Sequence, residues 1–412
     1  VFLILREYNS LNFTVNTNHF ILVNFIPVSV SFQTLIRSSL YSLIDMNIGI
    51  VCYPTFGGSG VVATELGKAL ADKGHVVHFI SYDQPVRLDA FNQNLYYHEV
   101  SFNNYPLFKY APYEIALTSK IVDIVKAHKL EVIHVHYAIP HAAAAVTAKH
   151  ILAREGIKLK IVTTLHGTDI TLVGKDQSYE PVVSYSLHES DIVTAVSESL
   201  KKDTYANFSY DGDIHVIPNF IDFHRFNKQP KDHFKKAIAP HNEKILVHTS
   251  NFRQVKRVPD VLEIYRRVAA KMPAKLLLIG DGPERAAVEE ECRNCEVCAD
   301  VTFLGKQEAV EEILSIADLF IIPSETESFG LAALEAMACE VPVISTNTGG
   351  LPEVNIDGVT GYISNIGDVE KMGADALNIL KDENLAMFKK QAKEHALNYK
   401  LENILPLYEK LY

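Results

Sequence analysis

From residue 46 to the end of the chain, apolar runs of three to seven residues alternate with longer stretches in which apolar positions recur every three or four residues. The short runs read as buried strands and the longer stretches as amphipathic helices. Strands are predicted at 47–53, 76–81, 132–136, 160–164, 192–196 and 214–217. Helices are predicted at 61–73, 113–128, 142–154, 181–189 and 198–208. Pro218-Asn219 closes this half, and a polar linker with Pro230 and Pro240 covers 222–243. The alternation then restarts, with strands at 245–250, 275–279, 301–304, 319–322, 341–345 and 361–363. Helices lie between them, and the chain ends in helical segments at 383–399 and 401–411.

Strand–helix alternation means a parallel sheet covered by helices on both faces. The expected architecture is therefore α/β, with two Rossmann-like domains facing across a cleft. Residues 46–220 form the first domain and 221–395 the second, and a C-terminal helix at about 396–412 packs back on the first. Doubly wound sheets bind ligands beyond the carboxyl ends of their strands, so facing sheets present their loops to each other.

Residues 1–45 follow a different pattern. They hold no Gly, no Lys, and only Arg6, Glu7, Arg37 and Asp45 as charges. The apolar stretch 20–32 is interrupted by Asn24 and is too short to span a bilayer. The reading adopted is a non-native or disordered extension ahead of a functional protein that starts at Met46, with a membrane anchor as the alternative.

Composition narrows the function. A net charge of −11 over 412 residues argues against general nucleic-acid binding, which needs a basic face. Of five cysteines, Cys52 and Cys339 sit in apolar patterns. Cys292, Cys295 and Cys298 form a C-x2-C-x2-C run without a fourth ligand at zinc spacing, so no metal site is predicted.

The chemistry concentrates in loops at strand ends. Glu327 and Glu335 bracket a strand–loop–helix passage with Gly330 at the turn. Free N–H groups at such a helix start suit phosphates, and a carboxylate further along suits sugar hydroxyls, which together describe a nucleotide-sugar site. Arg253, Lys256 and Arg257 place three cations at one strand tip of an acidic protein, a set suited to a diphosphate. Gly280-Asp-Gly282-Pro283 reads as a structural turn, and Thr348-Gly-Gly-Leu-Pro-Glu353 as a glycine turn near the nucleotide.

In the first half, Gly58, Gly60 and Ala63 with Asp83 satisfy a dinucleotide pattern, so an NAD-dependent oxidoreductase competes. A second phosphate-type loop in the other half argues instead for a donor and a separate anionic acceptor. His134 reads as structural, while Tyr137 and His141 point to the cleft. His166 at a strand tip is placed to meet a sugar hydroxyl or leaving oxygen, with Asp169 either orienting the imidazole or capping the next segment.

Pro323-Ser-x-x-Glu327-x-Phe-Gly-Leu331, Glu335-Ala-Met-Ala338, Pro342-Val-Ile344 and Gly349-Gly350 together resemble the retaining family-4 glycosyltransferases of GT-B fold. A narrower set comprises Cys52-Tyr-Pro54, the run from Gly57 to Val62, His134 to His141, Thr164 to Asp169 and Ser250 to Arg253. It resembles the members that join N-acetylglucosamine to L-malate at the opening of bacillithiol biosynthesis. The resemblance implies UDP-N-acetylglucosamine (UDP-GlcNAc) as donor and L-malate as acceptor, with retention at the anomeric carbon. It assigns Glu335 to the ribose, Glu327 to the sugar hydroxyls and His166 to the region of the reacting centre. The backbone of Ser328, Phe329, Gly330 and Leu331, with Arg253 and Lys256, would hold the diphosphate. Gly58, Ser59, Gly60, Tyr137 and Thr164 would line the malate side. His166, Glu327, Arg253 and Lys256 are the catalytic candidates.

The chain departs from the family pattern at two places: Glu340 stands where a Gly is usual, and the Arg253–Lys256 spacing is short, which lets Arg257 compete for the diphosphate. The reading implies same-face substitution without a metal or other cofactor, in a cytoplasmic enzyme that needs no stable membrane association and leaves room for a homodimer.

Overall fold

The computed structural model describes residues 45–55, 57–88, 91–102, 109–172, 176–294 and 298–412. The stretch 1–44 and Cys295, both singled out above, lie outside these residues.

The first domain is a seven-stranded sheet of β1 (Asn47–Val51), β2 (Val76–Ser81), β3 (Leu95–Glu99), β4 (Val132–His136), β5 (Lys160–Leu165), β6 (Ile192–Ala195) and β7 (Ile214–Val216). Its order is β3-β2-β1-β4-β5-β6-β7, and every neighbouring pair runs parallel. The second domain holds β8 (Lys244–Ser250), β9 (Ala274–Gly280), β10 (Val301–Gly305), β11 (Leu319–Ile322), β12 (Val343–Thr346) and β13 (Gly361–Ser364). These run in the order β10-β9-β8-β11-β12-β13, again all parallel.

Central strands such as β4 and β11 are buried along their whole length, because helices cover both faces of the sheet. The edge strand β3, of sequence Leu-Tyr-Tyr-His-Glu, is only half-buried. Its polar composition hid it from the periodicity reading. Helix Val258–Ala269 shows how patterning sets a helix: Val258, Val261, Leu262, Tyr265 and Val268 fall on the buried side. Asp260 in its first turn and Arg266 and Arg267 in its last complement the helix dipole.

Three differences from the sequence reading matter for the site. The first helix begins at Gly58 rather than 61, so Gly58, Ser59 and Gly60 form its first turn. The linker carries a helix of its own, Asp232–Ile238, and a short helix Leu351–Val354 follows the Gly349-Gly350 turn.

The chain crosses between domains at two adjacent places. The backbone N–H of Ile221 donates to the carbonyl of Tyr399 (2.9 Å), and Ile221 bridges to Lys400. Helix Leu401–Glu409 then packs on helix Gly58–Asp72 of the first domain. There Ile404, Leu405 and Tyr408 join Val62, Leu66 and Leu70 in one apolar cluster. Lys73 pairs with Glu409 at 2.7 Å, and Tyr412 reaches the core, its hydroxyl 2.7 Å from Nδ1 of His134. A second cluster runs through both domains, from Leu165 and Val196 by way of Phe226 to Ile322, Phe329 and Met337.

Candidate active site

Helix Leu331–Ala338 starts at Gly330, with no side-chain cap and no acidic residue in its first turn, so its leading N–H groups are available to an anion. Glu335 sits one turn in, facing Arg87, Arg225 and Glu311. Desolvation pushes its carboxyl up to about 7, against the pull of Arg87 and Arg225. Arg225 is itself held by Glu311, with Nε donating to Oε2 at 3.1 Å. Arg87, from the loop after β2, has φ +63°, a position that periodicity could not single out.

The cation loop pairs two of its three cations with carboxylates. Lys256 pairs with Glu327, whose Oε1 also accepts from Ser324 Oγ at 3.1 Å. Arg257 donates to Asp260 (2.6 Å) and Glu325 (2.7 Å), a clamp that holds the loop. Arg253 is exposed and makes no ion pair among the described residues. Its loop is shaped by His248, whose Nδ1 lies 2.8 Å from the carbonyl oxygen of Ile321 and whose Nε2 lies 2.8 Å from Ser250 Oγ.

On the opposite wall, helix Gly58–Asp72 also starts uncapped and without an acidic first turn. Gly60 has to be glycine: a Cβ there would lie 2.4 Å from the carbonyl oxygen of Thr55 and 2.6 Å from that of Tyr53. Ser59 Oγ donates to the hydroxyl of Tyr137 at 3.1 Å. Tyr137 also feels Thr168, Asp169 and, from the other domain, Arg253. Desolvation, with Asp169, raises its pKa. Tyr137 takes φ +93°, which turns it out of the β4 alternation and onto the cleft wall.

His166 is buried at the tip of β5, with Nε2 2.8 Å from Nδ1 of His136 and its ring beside that of Tyr137. Desolvation lowers its pKa to about 3, so it is neutral at physiological pH. Asp169 caps rather than orients: it accepts from the N–H groups of Gly167 and Ala138, both at 2.9 Å, and does not contact the imidazole.

Thr164 is placed otherwise than expected. Its side chain is fully buried, and its hydroxyl is shared between His134 Nε2 (2.6 Å) and Thr194 Oγ1 (2.7 Å). It braces the sheet and does not line the cleft. His141 is likewise buried, its Nδ1 donating to the carbonyl of His136. Asp83 accepts from the N–H of Gln84 (2.8 Å) in its own turn.

The two walls meet at Gly167, which has φ +116°; a Cβ there would lie 1.5 Å from Ser328 Oγ. Ser197 donates to the carbonyl of Ser328 (2.6 Å) while accepting from the N–H of Leu200 as the N-cap of helix Glu198–Asn207. Glu353 of the second domain accepts from the N–H groups of Glu198 and Ser199, both at 2.9 Å, capping the same helix from across the seam. Beside this seam lies a cavity of about 240 Å³, lined by Thr171, Ser199, Asp203, Glu327, Ser328 and Gly349. Glu353 closes the glycine turn that the sequence places near the nucleotide, but neither it nor Ser197 carries a sequence signal of a contact with the other domain, because their partners lie more than a hundred residues away.

Two facing parallel-sheet domains, with an uncapped helix start and a carboxylate on one side and a polar loop cluster on the other, define a glycosyltransferase of GT-B architecture. Residues 56–225 match Glycosyltransferase Family 4, and residues 229–395 match Glycosyl transferases group 1. The chain belongs to the family-4 glycosyltransferases. It is 45% identical over 370 residues to the N-acetyl-alpha-D-glucosaminyl L-malate synthase of Bacillus anthracis, covering 89% of this chain and 96% of that one. It is 31% identical to a D-inositol 3-phosphate glycosyltransferase of Mycolicibacterium smegmatis, over 45% of this chain and 44% of that one. The Anabaena HepE protein in complex with UDP-glucose shares the fold, with a TM-score of 0.74 at 20% identity over 89% of this chain and 99% of that one. The transferase fold and family remove the oxidoreductase alternative. Among the described residues no helix is long and apolar enough to cross a membrane.

Proposed function

We propose that this enzyme transfers N-acetylglucosamine from UDP-GlcNAc to the hydroxyl of L-malate, with retention, the reaction that opens bacillithiol biosynthesis. The observation that carries the reading is the Ser59–Tyr137 hydroxyl pair at an uncapped helix start, opposite Arg253. Hydroxyls, free N–H groups and a facing guanidinium suit a small dicarboxylate next to a diphosphate. The 45% identity to an enzyme named for this product supports the same substrates.

The donor diphosphate lies on the N–H groups of Ser328 to Leu331 and on Arg253, with Lys256 shared between it and Glu327. Glu335 takes the ribose hydroxyls, and Glu327, anchored by Lys256 and Ser324, takes hydroxyls of the sugar. The malate oxygen bonds to the anomeric carbon on the face from which UDP leaves. The sugar–phosphate C–O bond breaks with its electron pair going to UDP, and the malate hydroxyl proton passes to the leaving phosphate oxygen. Fixed cations and the helix end stabilise the departing charge, and the walls supply orientation. Neutral His166 offers a hydrogen bond near the reacting carbon without adding charge.

The test is UDP release from UDP-GlcNAc with and without L-malate, in the presence and absence of EDTA. Malate-dependent, EDTA-insensitive release of UDP is expected. Release that requires a different acceptor overturns the malate assignment. Loss with EDTA that is restored by a divalent ion overturns the assignment of charge neutralisation to side chains alone.

A further inference from the structure

Three histidines from separate parts of the chain, none of them among the cleft residues described above, converge. His78 is the third residue of β2, in the body of the sheet, and His98 lies on the edge strand β3. The register pairs His78 with Tyr96 and Ile80 with His98, so His78 and His98 sit diagonally on one face. His128 ends helix Tyr113–His128, which packs over that face. One ring nitrogen from each lies within 4.8 Å of the other two. His78 Nδ1 and His98 Nε2 are 2.8 Å apart, and their rings are nearly parallel at 13°. The ring of His128 is 4.4 Å from that of His78 and 5.2 Å from that of His98.

We propose that His78, His98 and His128 form a binding site for a divalent transition ion, with Zn²⁺ as its occupant, that ties the sheet edge to a helix end and takes no part in sugar transfer.

Three imidazole nitrogens on Zn²⁺ at about 2.0–2.1 Å stand about 3.3 Å from one another, which these atoms reach by shifts of roughly an ångström or less. Only one proton fits between His78 Nδ1 and His98 Nε2, so the close pair already presents one lone pair to the other ring. A bound ion takes the place of that shared proton, which moves to the far nitrogen of the ring that carried it, so each neutral ring then holds its single proton away from the ion. The C-terminal end of a helix, where His128 sits, favours a cation through its carbonyl dipoles. Imidazole is a ligand that Zn²⁺, Cu²⁺ and Ni²⁺ share, while Mg²⁺ and Ca²⁺ prefer oxygen.

The experiment uses the full chain, without a polyhistidine tag, stripped with a chelator and titrated with ZnCl₂ by calorimetry. CoCl₂ serves as a spectroscopic probe. One ion per chain, a rise in Tm with Zn²⁺, and a tetrahedral Co²⁺ ligand-field spectrum are expected. His128→Gln and His98→Gln each weaken binding by more than the roughly 10- to 100-fold that loss of an outer-shell partner costs. Melting of metal-free His128→Gln at the wild-type temperature shows that the loss is of a ligand and not of the fold. Transferase activity stays at the wild-type level in His128→Gln. Absence of saturable one-to-one binding, or binding that survives both His variants, overturns the proposal. So does binding that is abolished by Cys298→Ser, which places the ion at the cysteine run instead.

Discussion

In the proposed donor site, Glu335 is the side chain whose protonation bears on binding. Its pKa is raised to about 7, so the proton is lost only as pH climbs through that value, and the ionised carboxylate is the better acceptor for two ribose hydroxyls. Donor KM is therefore expected to fall between about pH 6 and 8 in the wild type and to stay high and flat in Glu335→Gln. A pH-independent wild-type KM removes Glu335 from the donor site. Arg253 makes a different kind of contribution: no carboxylate holds it, and it faces Tyr137 across the cleft. Arg253→Ala should lower kcat by about 10²–10³, the scale of losing one pre-oriented charge partner for a leaving group, with a smaller effect on KM. Unchanged kcat places the diphosphate elsewhere. At Glu340, φ is +63°, so a side chain occupies a left-handed position at a cost of about 1–2 kcal/mol, with Lys393 paired to its carboxylate.

Strand ends rather than single residues decide how stability depends on pH. Strands β4, β5 and β8 and the turn after β4 bury His134, His141, His166 and His248, with pKa values lowered to about 3, 4, 3 and 4. The unfolded chain takes up these protons below about pH 6.5, while the folded chain refuses them until near 4 or below. Stability is thus full above the unfolded value and is lost as pH falls toward the folded values. Asp169, raised to about 6, works in the opposite direction. Urea unfolding at pH 7.5 and 5 should show a loss of at least about 3 kcal/mol, an order-of-magnitude figure from 1.36 kcal/mol per unit and site. Equal midpoints at the two pH values rule this account out.

The same elements show what patterning could reveal. Strands buried on both faces, such as β4 and β11, stand out as apolar runs, and the Glu327–Glu335 passage was readable because strand, glycine turn and helix follow in order. The edge strand β3, the cap from Glu353 and the meeting of His78, His98 and His128 depend on contacts between distant segments, which no local period encodes. Thr164 illustrates the limit: a strand tip predicts proximity to ligand, but only the neighbouring His134 and Thr194 decide that its hydroxyl turns inward.

At the scale of the whole molecule, the two crossings at Ile221 and Tyr399–Lys400 lie side by side, so the domains are joined through one narrow region, the place where a hinge would act. The domains are held against each other by Ser197 on Ser328 and by Glu353 on the helix that starts at Glu198. Glu353→Ala removes a cap worth about 1 kcal/mol that exists only when the domains meet. Small-angle scattering of the variant should show a larger radius of gyration than the wild type, and donor KM should rise several-fold. Identical scattering curves rule out Glu353 as a latch. The fit at Gly167, where not even a methyl group can be accommodated opposite Ser328, has a consequence for fidelity. Water is the acceptor every sugar donor meets most often, and with the donor placed as proposed, this contact leaves it no path between Gly167 and Ser328. The enzyme should therefore squander little donor to hydrolysis while it awaits its second substrate.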